Sequence, residues 1–133
     1  MFDVIREIGA ITRKTQMRSN AEFRALGLDN NGFIYIIRIC EDPGMFIAAL
    51  ADSVQIDRTT AFRSVKKLVD AGWLELKADR QDKRLRRVYP TAQAKKIYPR
   101  LHAFEQASSD ELLKNLNQTE QAQLRQLIHK LSY

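Results

Sequence analysis

The sequence of 133 residues contains few cysteines, histidines, prolines and glycines: one, two, three and five, respectively. A single cysteine, Cys40, can form neither an internal disulfide nor a zinc-binding cysteine cluster. No run of about 18 apolar residues exists, so no membrane span is predicted. Asp3 and Glu7 stand where a signal peptide has its positive segment and apolar core, so we expect a cytoplasmic protein.

Patterns typical of enzymes are also missing. The chain has no glycine-rich phosphate-binding loop, no cysteine pair and no Ser-His-acid pattern, so a small enzyme has little support. His102 and His129 lie far apart in the sequence and are interpreted as surface or interface residues. We interpret Cys40 as a small core residue, because a redox sensor needs an exposed, activated thiolate. No catalytic residue, cofactor or metal is expected.

The composition is that of one basic globular domain. Hydrophobic residues make up 44% of the chain, which is too many for a disordered basic tail. The net charge of +6 is local: residues 1–45 hold six bases and six acids, whereas residues 46–90 hold ten bases and six acids. The densest basic segment is 77–87, with Lys77, Arg80, Lys83, Arg84, Arg86 and Arg87. This patch favours a polyanion such as a nucleic acid as partner, and a solvated basic loop is the alternative.

The first third of the chain predicts two helices. Residues 2–18 have isoleucines at helical spacing, which indicates an amphipathic helix. Residues 26–31 are rich in turn formers and break the pattern. Residues 33–37 are apolar on every side; propensity alone allows a strand, but their position between helical segments favours a buried helix.

The central segment predicts two short helices joined by a tight turn at 55–57. The first buries Leu50, Ala51 and Val54, and the second runs from 58 to 71, with Asp57 as its N-cap and Gly72 as its stop. The inner face of the second helix carries Ala61, Val65 and Leu68. Its opposite face carries Thr59, Phe62, Arg63 and Lys66.

A hairpin and two helices complete the chain. Residues 73–77 and 85–89 alternate as strands do, and the polar segment 79–84 forms the tip between them. A long helix opens at Pro90-Thr91, with a kink expected at Pro99. Asn117 to Glu120 resembles a capping box before a final helix whose apolar face carries Leu124, Leu127, Ile128 and Leu131. The apolar faces of the terminal helices could be core or dimer interface, and we favour a dimer interface.

A helix, a short turn, a second helix and a basic hairpin follow one another as in a winged helix-turn-helix. The second helix of such a motif buries one face and presents donors and methyl groups to base edges in the major groove. An arginine on a stiff hairpin can enter a narrow minor groove, and Asp82 is close enough in sequence to orient Arg84. The candidate DNA-binding residues are Arg58, Thr59, Thr60, Phe62, Arg63, Lys66, Arg80, Lys83, Arg84 and Arg86.

Each candidate also has a plainer interpretation. Phe62 could pack against the hairpin or the first helix instead of meeting a thymine methyl or a sugar. Arg58, Arg63 and Lys66 could be ordinary solvated helix charges. The tip could be a surface turn whose alternating charges neutralise one another.

These residues resemble the MarR family of transcriptional regulators along the whole of 2–133. The similarity rests on Leu50-Ala51, on residues 56–60, on residues 65–72 and on Asp79-Arg80-Gln81-Asp82-Lys83-Arg84. The last segment, followed by a strand and Thr91, is the most specific, and the order of six helices around one wing strengthens the similarity. Three positions depart from the family pattern: Gln55 replaces a frequent Gly, Pro90 a Leu and Ala94 a Gly.

The resemblance implies a mainly α fold with a small β-hairpin wing, built as one MarR-like domain over 1–133. Residues 30–90 would form the DNA-binding lobe, and residues 1–20 and 91–133 the helical dimerisation region. It further implies an obligate homodimer on palindromic double-stranded DNA, with residues 58–66 in the major groove and Arg84 in the minor groove. Such regulators usually repress transcription and release DNA when a small, often phenolic, effector binds. The rival is a winged module that senses a ligand or binds proteins but does not read DNA.

Overall fold

The computed structural model describes residues 1–132 and assigns them to six α-helices, one 3₁₀ turn and three strands. Tyr133, the last residue of the predicted dimerisation region, lies outside the described residues. In chain order the elements are α1 (Phe2–Phe23), a 3₁₀ turn (Arg24–Leu26), α2 (Gly32–Glu41), β1 (Met45–Phe46), α3 (Ile47–Val54), α4 (Arg58–Asp70), β2 (Leu74–Ala78), β3 (Arg86–Pro90), α5 (Ala92–Leu113) and α6 (Gln118–Ser132).

The chain divides into two units, one from Met1 to Leu101 and one that begins at His102. Among the described residues, every buried hydrophobic side chain lies between Phe23 and Leu101. The predicted buried helix is confirmed: α2 buries most of its length. The predicted inner face of α4 is also confirmed, since its three apolar residues are buried.

The sheet has three antiparallel strands in the order β1-β3-β2, so the predicted hairpin gains a short third strand. Both hairpin strands begin one residue later than predicted. The amide of Trp73 donates to Leu68 at 2.9 Å as α4 ends, and the amide of Leu85 donates to Asp82 at 3.0 Å within the tip. Both residues are therefore committed to turns. A two-residue strand such as β1 is too short to show alternation in the sequence.

The first helix extends to Phe23, beyond the predicted end at residue 18. Ser19 and Phe23 are buried, and the side-chain oxygen of Asn20 accepts the amide of Asn30 at 2.8 Å. Tertiary contacts therefore outweigh the weak helix propensity of this Ser-Asn segment. Two burial predictions were wrong in degree, because Val54 and Cys40 are only half-buried. Burial raises the pKa of the Cys40 thiol.

In the second unit, the predicted capping box is confirmed. The amide of Glu120 donates to the Asn117 side chain at 2.9 Å, and the Asn117 amide donates to the Glu120 carboxylate at 3.0 Å. The predicted apolar face of α6 is largely open to solvent: Leu127, Ile128 and Leu131 are exposed. The long helix α5 continues through Pro99 as one element.

Candidate nucleic-acid interface

The turn between α3 and α4 places the two helices of the motif. Gln55 adopts a left-handed conformation with φ of 55°, which explains why this position often carries glycine. Its own side chain donates to the carbonyl of Asp52 at 2.8 Å, and the Ile56 amide donates to the Ala51 carbonyl at 3.1 Å. These bonds close the end of α3, so the helix-turn-helix forms without glycine.

Asp57 caps α4, as predicted. Its carboxylate accepts the Thr60 amide at 3.0 Å and the Thr60 hydroxyl at 2.6 Å. The hydroxyl and then the amide of Thr60 hold the pKa of Asp57 below its ordinary value. Thr60 is thus part of the N-terminal cap, in addition to being a predicted DNA-binding residue. The cap determines where α4 begins.

The outward face of α4 is open to solvent. Thr59, Arg63 and Lys66 are exposed, and Phe62 exposes 45% of its surface. Arg58 lies 3.4 Å from the carboxylate of Asp52, an exposed ion pair that contributes little to stability. Within residues 1–132, Arg63 and Lys66 form no ion pair. The face therefore offers two cations, a hydroxyl and an aromatic ring to an outside partner.

The wing tip holds Arg84 in a defined direction. Its Nε donates to one carboxylate oxygen of Asp82 at 3.1 Å and its Nη2 donates to the other at 3.2 Å. The Arg84 side chain is nonetheless 90% exposed. The Arg84 guanidinium, followed by the Arg84 amide, lowers the pKa of Asp82. The predicted orientation of Arg84 by Asp82 is therefore present in the structure.

The other predicted wing residues surround this pair. Arg80, Lys83 and Arg86 are all exposed, and Arg86 donates from Nη1 to the carbonyl of Lys83 at 2.9 Å. Arg86 thereby braces the tip from its returning strand. In the described part of the chain, Arg80 makes no side-chain hydrogen bond or ion pair.

An ion pair at the base of the wing was not predicted from the sequence. Arg87 was counted among the basic residues but given no role; in the structure its Nε donates to Asp79 at 2.7 Å and its Nη1 donates to the carbonyl of Gly44 at 2.8 Å. The strand register pairs Lys77 with Arg87, which makes Asp79 and Arg87 diagonal neighbours on the hairpin. This register is a feature of the structure that the predicted strands did not specify.

Two negative findings bear on other kinds of site. Among the described residues no cluster of three or more His, Cys, Asp or Glu side chains could hold a metal ion. In residues 1–132, no helix combines the length and apolarity that crossing a membrane requires.

Residues 26–85 match the sequence model of the MarR family. The chain is 36% identical over 131 residues to the uncharacterized HTH-type transcriptional regulator YybA of Bacillus subtilis (strain 168), covering 98% of this chain and 87% of that protein. It is similar in structure to the transcriptional regulator SlyA, with a TM-score of 0.93 and 34% identity over 97% of this chain and 91% of that chain. It is equally similar to a MarR-family regulator from Listeria monocytogenes solved with a 26mer DNA, with a TM-score of 0.93 and 34% identity over 98% of this chain and 87% of that chain.

Proposed function

The chain belongs to the MarR family of transcriptional regulators, and on that premise we propose that it is a cytoplasmic homodimeric repressor that binds a palindromic operator. The observation that carries the proposal is the exposed outer face of α4, which stands beside a wing whose Arg84 is both oriented and solvent-exposed. The DNA complex of the Listeria relative supports double-stranded DNA as the partner.

The proposed chemistry follows from the two surfaces. Arg63 and Lys66 would reach guanine acceptors or phosphates in the major groove, and Phe62 would contact a thymine methyl or a sugar. Arg84 would enter the minor groove, where a narrow groove concentrates negative potential. Arg58, Thr59 and Thr60 lie on the same helix. Around the wing, Arg80, Lys83 and Arg86 would bind phosphates of the DNA backbone.

The homodimer is proposed from exposed apolar surface at both ends of the chain. Ile5, Ile8 and Ile11 on α1 are exposed in one copy, as are Leu127, Ile128 and Leu131 on α6. Faces of this kind are typical of surfaces that another protein covers. We assign residues 1–20 and 91–133 to the dimerisation region and residues 30–90 to DNA binding. Two copies related by a two-fold axis would place their α4 helices about 34 Å apart, one turn of the duplex.

The proposal includes regulation by a small, often phenolic, effector, which the family resemblance implies. Its test is release of a labelled operator from the protein in a panel of phenolic acids, measured by fluorescence anisotropy. If no phenolic acid releases the operator, the phenolic effector is withdrawn from the proposal and the proposed DNA binding stands.

The deciding experiment is selection of bound sequences from random duplexes. We expect a palindrome, an affinity that falls steeply with salt, and a clear loss of affinity for Arg84→Ala. Lys67→Ala is the matched control, because Lys67 is an exposed base of α4 beside the α1–α2 connection instead of on the outer face. Selection of no sequence would favour the winged module that does not read DNA. Unchanged operator binding by Arg84→Ala would contradict the proposed minor-groove contact.

A further inference from the structure

Arg87 lies at the base of the wing, on the middle strand of the sheet, and its guanidinium joins three parts of the lobe. Nε donates to Asp79 at 2.7 Å, Nη1 donates to the Gly44 carbonyl at 2.8 Å, and Cζ stands 4.2 Å from the centre of the Phe46 ring. One planar group thus makes two directed hydrogen bonds and a cation–π contact.

On the wing side, contacts run from Arg87 to Arg84. Asp79 uses one carboxylate oxygen for Arg87 and the other for the amides of Gln81 and Asp82, at 3.1 and 3.0 Å. Both carboxylate oxygens of Asp82 in turn accept hydrogen bonds from one edge of the Arg84 guanidinium, through Nε and Nη2. The direction of Arg84 therefore depends on a tip whose backbone is fixed through Asp79. The Arg87 side chain is the main cause of the lowered pKa of Asp79.

On the other side, the contacts of Arg87 lead to the helix-turn-helix. Gly44 is fastened to β3 twice, because its amide donates to Val88 at 2.8 Å and its carbonyl accepts from Arg87. Phe46 immediately precedes α3 and is the residue under the guanidinium plane. α3 in turn packs against α4. Arg87 therefore contacts both the support of the wing tip and the start of the helix pair.

From this arrangement we infer that Arg87 is a positioning residue, which sets where Arg84 stands relative to the outer face of α4. The inference rests on the proposed function, since the relative position matters only when one duplex meets both elements. Arg87 itself needs no contact with a base: its side chain is 38% exposed and its donors face Asp79 and Gly44. Loss of Arg87 should impair the minor-groove contact of Arg84 selectively. The loss of one positive charge from the lobe should matter less.

Arginine suits this role and lysine does not. A lysine at 87 keeps the positive charge, but its ammonium is a point charge that cannot reproduce the planar fork toward Asp79 and Gly44. Arg87→Lys therefore separates geometry from charge. Asp79→Asn weakens the same link from the wing side.

The experiment measures minor-groove discrimination on the selected operator. Base pairs under the wing are defined as those where replacing A·T by G·C weakens binding by the wild type but not by Arg84→Ala. An I·C pair lacks the minor-groove amino group of guanine and serves as the duplex control. We expect the wild type to discriminate about tenfold against G·C at these pairs, and Arg87→Lys, Arg87→Ala and Asp79→Asn to discriminate less than about twofold. Penalties for substitutions under α4 should persist in all three variants.

Arg38→Ala is the matched protein control, because the Arg38 side chain is also 38% exposed and pairs with one carboxylate, Glu41. It should discriminate as the wild type does. Thermal unfolding establishes that each variant is folded, and Arg87→Lys provides the decision if Arg87→Ala does not fold. Wild-type discrimination by Arg87→Lys and Asp79→Asn would overturn the inference, as would an equal loss of affinity on A·T and G·C duplexes. A wild type that binds no operator would fail the proposed function itself, and that outcome is seen before any Arg87 variant is made.

Discussion

The winged lobe and the end of the chain use their apolar residues in opposite ways. The lobe buries most of its large apolar side chains, with Leu50, Ile36 and Val88 fully inaccessible, and it exposes cations. α6 leaves Leu127, Ile128 and Leu131 exposed, although its helix is well capped. The difference teaches that the lobe has its own core, whereas the terminal helix has an apolar face that one copy of the chain leaves open.

The largest effect is expected from a charge on the exposed apolar face of α6. Leu127→Glu should weaken dimerisation by more than about 100-fold, because an unpaired carboxylate would be buried between two copies. Sedimentation equilibrium measures the change. Gln126→Glu, which adds the same charge on the opposite side of α6, should dimerise normally. A dimer that tolerates Leu127→Glu would remove α6 from the proposed interface.

A buried leucine and an exposed leucine should differ in how their loss depends on protein concentration. Leu50→Ala should lower the free energy of unfolding by about 2–5 kcal/mol through the cavity it leaves in the lobe. Leu127→Ala should lower the apparent stability chiefly through the dimer equilibrium, so its midpoint should vary with protein concentration. Denaturant titrations at two concentrations make the comparison. If the loss of stability in Leu127→Ala does not depend on protein concentration, Leu127 does not act through a dimer and the contrast with Leu50 is wrong.

Two neighbouring lysines on α4 test whether its outer face binds DNA. Lys66→Ala should weaken operator binding and reduce the slope of log affinity against log salt by about 1, the result for one lost phosphate contact. Lys67→Ala, from the adjacent position off that face, should leave the slope near the wild-type value. Fluorescence anisotropy between low and moderate salt distinguishes them. Equal slopes for the two variants would mean that α4 carries only diffuse charge.

The smallest effect is expected from acid at the wing tip. Because Arg84 lowers the pKa of Asp82, the ionised carboxylate stabilises the folded state fully above its ordinary pKa, and that contribution is lost as the pH falls through the lowered value. Asp82→Asn lacks this contribution at every pH. The difference in Tm between wild type and Asp82→Asn should therefore narrow as the pH falls from 6 toward 3. Parallel curves over this range would show that the pair adds no stability.

Much of the lobe could be predicted from the sequence because its signals are local. Asp57 caps a helix three residues from its partner Thr60, Gly72 takes the left-handed conformation that ends α4, and Asp82 lies two residues from Arg84. The end of α1 was missed because burial of Phe23 and the bond from Asn30 act over distance. Arg87 was missed for the same reason, since its partner Gly44 lies 43 residues away in the chain.

Two copies, paired through their terminal helices, are proposed to read one palindrome with two lobes. The most direct test is the mass of the complex on the selected duplex, measured by analytical ultracentrifugation, together with affinity for a duplex that holds one half-site. We predict two chains on each full palindrome and binding to the half-site at least about 100-fold weaker, since half of the specific contacts are lost. One chain per duplex, or equal affinity for the half-site, would contradict the account.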